Sequence, residues 1–284
     1  MSYDEKISKV CEAISQNLDE DLTLERLSDV AALSQFHFHR VFSAYTGVTL
    51  FKFIQLARLK RASMQLAFKD DRRIIDIALD AGFDSPEAFS RAFKRTFGQT
   101  PSQFKKRPEW PAWHSKFQFS VPKGENTMDI DVRVVDFDET KVAVKAHRGP
   151  PDRVYETVGQ FIAWRKETGL SPVKTSQTFG IGYDDPDVVK PEDFRYDVCG
   201  SIDGGVPENA YGVKSGVIPG GRCAVARHVG SLDNVADTVY YLYRDWLPNS
   251  GEELRDFPCF FHYLTLVPDV DECDLLTDIY LPLM

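Results

Sequence analysis

The sequence predicts an all-α tandem helix-turn-helix domain followed by an α+β domain made of two β-α-β-β repeats. Three observations lead there. Apolar residues recur at helical spacing through the first 107 positions and then give way to short β-rich runs. Each of these two halves repeats itself internally, at offsets of 50–51 and 81 residues. The formal charge of −9 divides by segment into −5 over residues 1–39, +8 over 40–107 and −12 over 108–284. A basic block inside an acidic chain indicates one part that faces a polyanion and another that does not.

The helical elements follow in order. Ile7, Val10, Cys11 and Ile14 lie at i, i+3, i+4 and i+7, and Leu24, Leu27, Val30 and Ala31 repeat the pattern behind Thr23 as N-cap, with Asp21 as an alternative start. Residues 34–44 form a further helix. From Leu50 to Phe68 a long run interleaves Phe53, Ile54, Ala57, Met64 and Leu66 with Arg58, Lys60 and Arg61, long enough to act as a strut. Ile74, Ile77, Ala78 and Ala81 mark a short helix, and Glu87 to Phe97 another with Phe89 and Phe93 inward; residues 34–44 and 86–96 are the candidate recognition helices. Between Lys106 and Met128 the pattern dissolves into prolines, Gly124 and aromatic residues, which reads as an interdomain boundary. The expected domains are 1–107 and 127–284, joined by a Pro/Trp-containing linker at 108–126. Beyond it, β-rich runs at 129–135, 141–146, 179–183, 194–202, 221–227, 259–267 and 275–281 alternate with helical patterns near 154–168 and 235–247.

The duplications are specific. Leu24, Leu27 and Ala31 match Ile74, Ile77 and Ala81, and Ser34, Phe38, Arg40, Phe42 and Gly47 match Ser85, Phe89, Arg91, Phe93 and Gly98. In the acidic half, Val142-Ala143-Val144 and His147-x-Gly149 match Cys223-Ala224-Val225 and His228-x-Gly230, Thr157 matches Thr238, and Asp197 matches Asp278.

On these residues, together with Ala81-Gly82-Phe83-Asp84-Ser85 and Gly98-x-Thr100-Pro101, the first half resembles the AraC/XylS family of transcription factors, in the branch whose DNA-binding domain is N-terminal. The second half resembles the GyrI-like effector-binding domain, through Gly180-Ile181-Gly182-Tyr183-Asp184-Asp185-Pro186, Arg195-Tyr196-Asp197 and Trp246-Leu247-Pro248-x-Ser250-Gly251. The resemblances imply a cytoplasmic regulator that binds double-stranded DNA, contacts RNA polymerase and senses a small molecule. Two recognition helices about 34 Å apart meet successive major grooves, so one chain can occupy an asymmetric site of about 20 bp as a monomer.

Carried over position by position, Phe36, His39 and Arg40 of the first helix and Pro86, Glu87, Ser90 and Arg91 of the second fall where the family reads bases. Arg40 and Arg91 have the chemistry for bidentate donation to guanine, and Gln35, His37 and His39 for base edges or phosphate. Lys52, Lys94 and Arg95 are candidate phosphate contacts. For an apolar or aromatic effector the candidates are Trp164, Tyr183, Tyr241, Trp246, Phe261 and Tyr263. Related multidrug-sensing domains often carry Pro-x-Phe-Glu-x-Tyr; here Phe261 stands in the glutamate's place, in Pro258-Cys259-Phe260-Phe261-His262-Tyr263. That substitution weighs against a cationic ligand and against acid–base hydrolysis alike, and leaves a neutral or anionic aromatic, with His262 or His228 as polar contacts. The alternative reading is a GyrI-like hydrolase, sequestering or inhibitor module tethered to a DNA-binding domain.

No enzyme motif, metal site or cofactor is expected. The five scattered cysteines lack any C-x-x-C pair, no phosphate loop occurs, His37 and His39 at i, i+2 point to different helix faces, and no run approaches a membrane span.

Overall fold

A computed structural model describes residues 3–69, 71–117, 130–186 and 188–284, excluding the side chains of Phe36 and His37. The chain divides into two compact units, one of residues 1–128 with Val267–Asp274, the other of Asp129–Leu266 with Leu275–Met284.

The first unit is helical. Its elements are α1 (Tyr3–Gln16), α2 (Leu24–Val30), α3 (Gln35–Thr46), α4 (Leu50–Phe68), α5 (Ile74–Asp80), α6 (Pro86–Phe97), α7 (Pro101–Lys106) and α8 (Trp110–His114). Thr23, Thr49, Ser85 and Thr100 cap α2, α4, α6 and α7 by accepting a backbone N–H. Gly47 and Gly98 end α3 and α6 in the left-handed conformation, which costs glycine nothing. The sequence duplication is a structural one. Phe38–Phe42 and Phe89–Phe93 pack with centroids 5.8 and 5.5 Å apart, both pairs tilted by 56°.

The turns differ in one respect. Between α5 and α6 the chain passes through Gly82 at φ +74, whereas Ala32 between α2 and α3 sits at φ +48 with a side chain. A left-handed L-residue costs about 1–2 kcal/mol, while glycine loses about 0.5–1 kcal/mol more backbone entropy on folding. Ala32→Gly is therefore expected to stabilise the first unit by about 0.5–1 kcal/mol, visible as a raised denaturation midpoint. A lowered midpoint would refute strain at Ala32.

Two expectations are corrected here. Residues 110–114 do not behave as linker: Trp110 and Trp113 are buried, Trp110 stacks on Phe68 at 5.7 Å, and Trp113 Nε1 donates to Ser63 Oγ at 2.6 Å. The stretch 118–126 and the expected domain start at 127 lie outside the described residues. The cations of the strut are also committed internally. Arg58 donates to the carbonyls of Leu18 and Glu20, Arg61 to that of Asp80. Within the same unit Arg61 pairs with Asp19 and Asp271, and Lys60 with Glu272. Part of the +8 thus holds helices together.

The second unit is one eight-stranded sheet among the described residues. Its strands are β1 (Val132–Phe137), β2 (Thr140–Arg148), β3 (Thr178–Gly182), β4 (Arg195–Ser201), β5 (Lys214–Ile218), β6 (Gly221–Val229), β7 (Cys259–Tyr263) and β8 (Leu276–Pro282), in the order β1-β6-β8-β7-β3-β4-β2-β5. The units β2-α9-β3-β4 and β6-α10-β7-β8, with α9 at Val154–Thr168 and α10 at Val235–Tyr241, carry out the expected β-α-β-β repeat. Each is preceded by an additional strand, and these are exchanged: β1 pairs with β6 and β5 with β2.

Matched residues do matched work. The carbonyls of Gly149 and Ser231 only accept, so Nε2 of His147 and of His228 carries the proton and Nδ1 accepts from Thr157 Oγ1 at 2.8 Å and Thr238 Oγ1 at 2.9 Å, pinning α9 and α10 to β2 and β6. Asp197 and Asp278 each take an arginine, Arg148 at 2.9 Å and Arg227 at 2.7 Å. The helices break the symmetry. After α10 the chain opens into a π-helical turn (Leu242–Trp246) before α11 (Leu247–Ser250). Pro248 explains this: it has no N–H for the carbonyl of Arg244 and its ring would strike that carbonyl in a regular helix. In α9 the corresponding residue is Glu167, and the helix runs on unbroken.

Candidate functional site

Each candidate recognition helix, α3 and α6, presents a polar outer face because its inner face is spent on aromatic packing. In α6, Phe89, Ala92, Phe93, Thr96 and Phe97 are buried, so Glu87, Arg91, Lys94 and Arg95 emerge, with Pro86 and Ser90 half-buried beside them. In α3, Phe38, Phe42 and Thr46 are buried and Gln35, His39 and Arg40 are exposed; the side chain of Phe36 lies outside the described residues. Glu87 occupies the first turn of α6, where a carboxylate is favourable to the helix dipole whatever it does to DNA. Lys52 Nζ donates to Gln55 Oε1 at 3.4 Å, and its pKa is lowered first by partial burial and then by repulsion from Arg95. Two candidate phosphate contacts, one from the start of α4 and one from α6, therefore converge. A phosphate oxygen would relieve that repulsion.

In the second unit the expected effector residues separate. Trp164 is fully buried in the core with Phe161, Val198 and Ala143, stacked on Phe161 at 5.4 Å, so it is a packing residue. Tyr183 belongs to the opposite face of the sheet. Its hydroxyl donates to Asp197 at 2.9 Å and its ring lies 5.6 Å from both the Arg148 and Arg195 guanidinium carbons. Tyr241 is half-buried on α10, and Trp246 and Phe261 pack against one core cluster around Leu242 and Ile279. Neither suggested histidine reaches the helix-facing side freely: His228 is consumed by Thr238 and Ser231, and His262 stacks on Phe179 at 4.7 Å.

Phe261 and Tyr263 do project together on the helix side of β7, their rings nearly parallel at 6.4 Å. Their companion was not foreseen. Tyr196, from β4, brings its hydroxyl onto that of Tyr263. Burial is the largest cause holding both phenols protonated, Tyr196 well above its ordinary value and Tyr263 pushed up to about 12. Tyr243, on the π turn, is 38% exposed, and its hydroxyl is raised by desolvation first and then by Cys259. Among the described residues no cluster of His, Cys, Asp or Glu could hold a metal, and no helix is long and apolar enough to cross a membrane.

A family model described as a GyrI-like small molecule binding domain matches residues 130–284, more than half of the chain. The chain belongs to the GyrI-like family. A helix-turn-helix domain model matches residues 27–107, in keeping with the AraC/XylS resemblance of the segment ahead of the GyrI-like part. Among similar proteins, the "probable transcriptional regulator YgiV" of Escherichia coli K12 is 51% identical over 156 residues, covering 55% of this chain and 98% of that one. The "right origin-binding protein" of the same strain is 38% identical over 97 residues, 34% of this chain and 33% of that protein. The solved structure of an EcmrR–DNA complex is similar over 92% of this chain and 98% of that one, at 16% identity and a TM-score of 0.47.

Proposed function

We propose that this chain is a sequence-specific DNA-binding transcriptional regulator whose activity is set by a small aromatic or apolar molecule held in the GyrI-like unit. The observation that carries the reading is the duplicated helix-turn-helix with an exposed arginine at the same place in each copy, Arg40 and Arg91. Packing alone does not require that match, whereas two successive major grooves do. The similar proteins point the same way, since one is named a probable transcriptional regulator and the other a right origin-binding protein. The operator is an asymmetric duplex of about 20 bp bound by one chain. The AraC/XylS resemblance adds contact with RNA polymerase. The aromatic group of Tyr196, Phe261 and Tyr263 supplies the stacking surface for the effector.

Selection of bound duplexes from a random library, followed by titration of the enriched site against a scrambled one at fixed salt, tests the DNA half. A discrimination of at least a thousandfold is expected. Equal affinity for both would refute sequence-specific regulation. For the sensing half, saturating the GyrI-like unit with a bound aromatic should change operator affinity about 5- to 150-fold in either direction. No change in operator affinity at saturation would remove effector gating of DNA binding.

A further inference from the structure

The two strands at the pseudo-twofold of the sheet, β3 and β7, are repeat partners, and Gly180 lies opposite Phe261 both in the repeat and in the hydrogen-bonded register. The chain has put all the bulk on one side. A methyl group on Gly180 would lie 1.7 Å from Tyr196 Oη and 3.0 Å from Tyr263 Oη, and one on Gly182 would lie 3.3 Å from Phe261 Cε2. The glycines are thus the cradle for three aromatic rings, and two phenol hydroxyls meet above it. Hydroxyls that bond to each other share one proton and leave the second to donate elsewhere.

The charge nearby has one sign. Arg165 is buried, and donates to Ser171 Oγ, to Thr178 Oγ1 at 2.9 Å and to the Gln177 carbonyl; Thr178 is the register partner of Tyr263. Among the described residues no carboxylate pairs with Arg165, and none acts on either phenol. We propose that this site takes a planar aromatic molecule whose polar end is a hydrogen-bond acceptor (a carbonyl, phenolate or carboxylate) and rejects organic cations. The ring faces alone attract a cation. A desolvated cation here finds no carboxylate to offset its lost hydration, whereas an acceptor meets an O–H donor. The inference rests on the effector reading above and gives its ligand a class.

Four probes of one ring size separate the possibilities by calorimetric titration of the full chain: naphthalene-2-carboxylate, 2-acetylnaphthalene, naphthalene, and 2-naphthyl-trimethylammonium. The carboxylate and the ketone are expected to bind at least tenfold more tightly than the ammonium. Tyr196→Phe and Tyr263→Phe, which keep the rings, should each weaken the two acceptor probes several-fold and leave naphthalene unchanged. Equal or tighter binding of the ammonium overturns the proposed class while the effector reading stands, as do Tyr→Phe variants that bind the acceptors normally. Binding of none of the four, or binding unaffected by Phe261→Ala, overturns the effector reading itself and the class with it.

Discussion

Trp113→Ala is expected to destabilise the first unit by about 3–5 kcal/mol, the range for deleting a large buried aromatic. The indole is 2% exposed, and its ring meets Trp110 edge-on at 5.5 Å and Phe117 at 4.7 Å. Its N–H also supplies a buried hydrogen bond to Ser63 on α4. Trp113→Phe separates these contributions: it retains most of the packing and loses the hydrogen bond, for about 0.5–1.5 kcal/mol from the bond and a further amount from the smaller ring. Chemical denaturation of the full chain, followed by the transition that abolishes DNA binding, measures both. A cost below about 0.5 kcal/mol for the alanine variant is what a surface or linker residue gives, and would return Trp113 to the linker.

That tryptophan shows where the sequence was and was not legible. Regular periodicity locates α4 at Leu50–Phe68, and the 81-residue offset maps β2 onto β6, β3 onto β7 and β4 onto β8 without a shift. Repetition reports geometry because both copies solve one packing problem. Elements that depend on a distant partner carry no such signal. Residues 110–114 are rich in Trp and Pro, which reads as boundary, yet the receiving surface is Phe68, Phe104 and Ser63, up to 50 positions earlier. Strand β5, at Lys214–Ile218, is short and went unread, since what makes it a strand is pairing with β2 across the repeat. The arginines of α4 count toward the basic block in one dimension, and in three Arg58 and Arg61 reach inward to carbonyls and carboxylates. Tyr196 was quoted only as part of a motif, because its meeting with Tyr263 needs the order β7-β3-β4, which periodicity does not specify.

Arg91→Ala and Arg40→Ala are each expected to cost about 1–3 kcal/mol in binding to the cognate duplex, roughly 5- to 150-fold, with much less loss on a scrambled one. Burial on α6 fixes which side chains are available: with Phe89, Ala92, Phe93, Thr96 and Phe97 turned inward, Arg91 shares the outer face with Glu87, Lys94 and Arg95. An arginine fork can read guanine O6 and N7 together, and of the two arginines on this face Arg91 is the one matched by Arg40 in the other repeat. Lys94→Ala and Arg95→Ala serve as the contrast, since a phosphate contact carries no base information. Each should weaken cognate and scrambled duplexes by the same factor and reduce the slope of log K against log salt by about 1. Lys52 refines the comparison. Its repulsion by Arg95 is relieved when Arg95 is removed or when a phosphate binds, so the double variant Lys52→Ala/Arg95→Ala should lose more than the two single losses combined if either cation alone can hold the phosphate, and less if relief of the free-state repulsion dominates. Because the free protein already carries that repulsion and a bound phosphate relieves it, each single removal forfeits the same relief, and the second outcome is expected. Band shifts at four salt concentrations on both duplexes read every term. Arg40→Ala or Arg91→Ala that left the cognate-to-scrambled ratio unchanged while lowering the salt slope would move that arginine from base reading to the phosphate backbone.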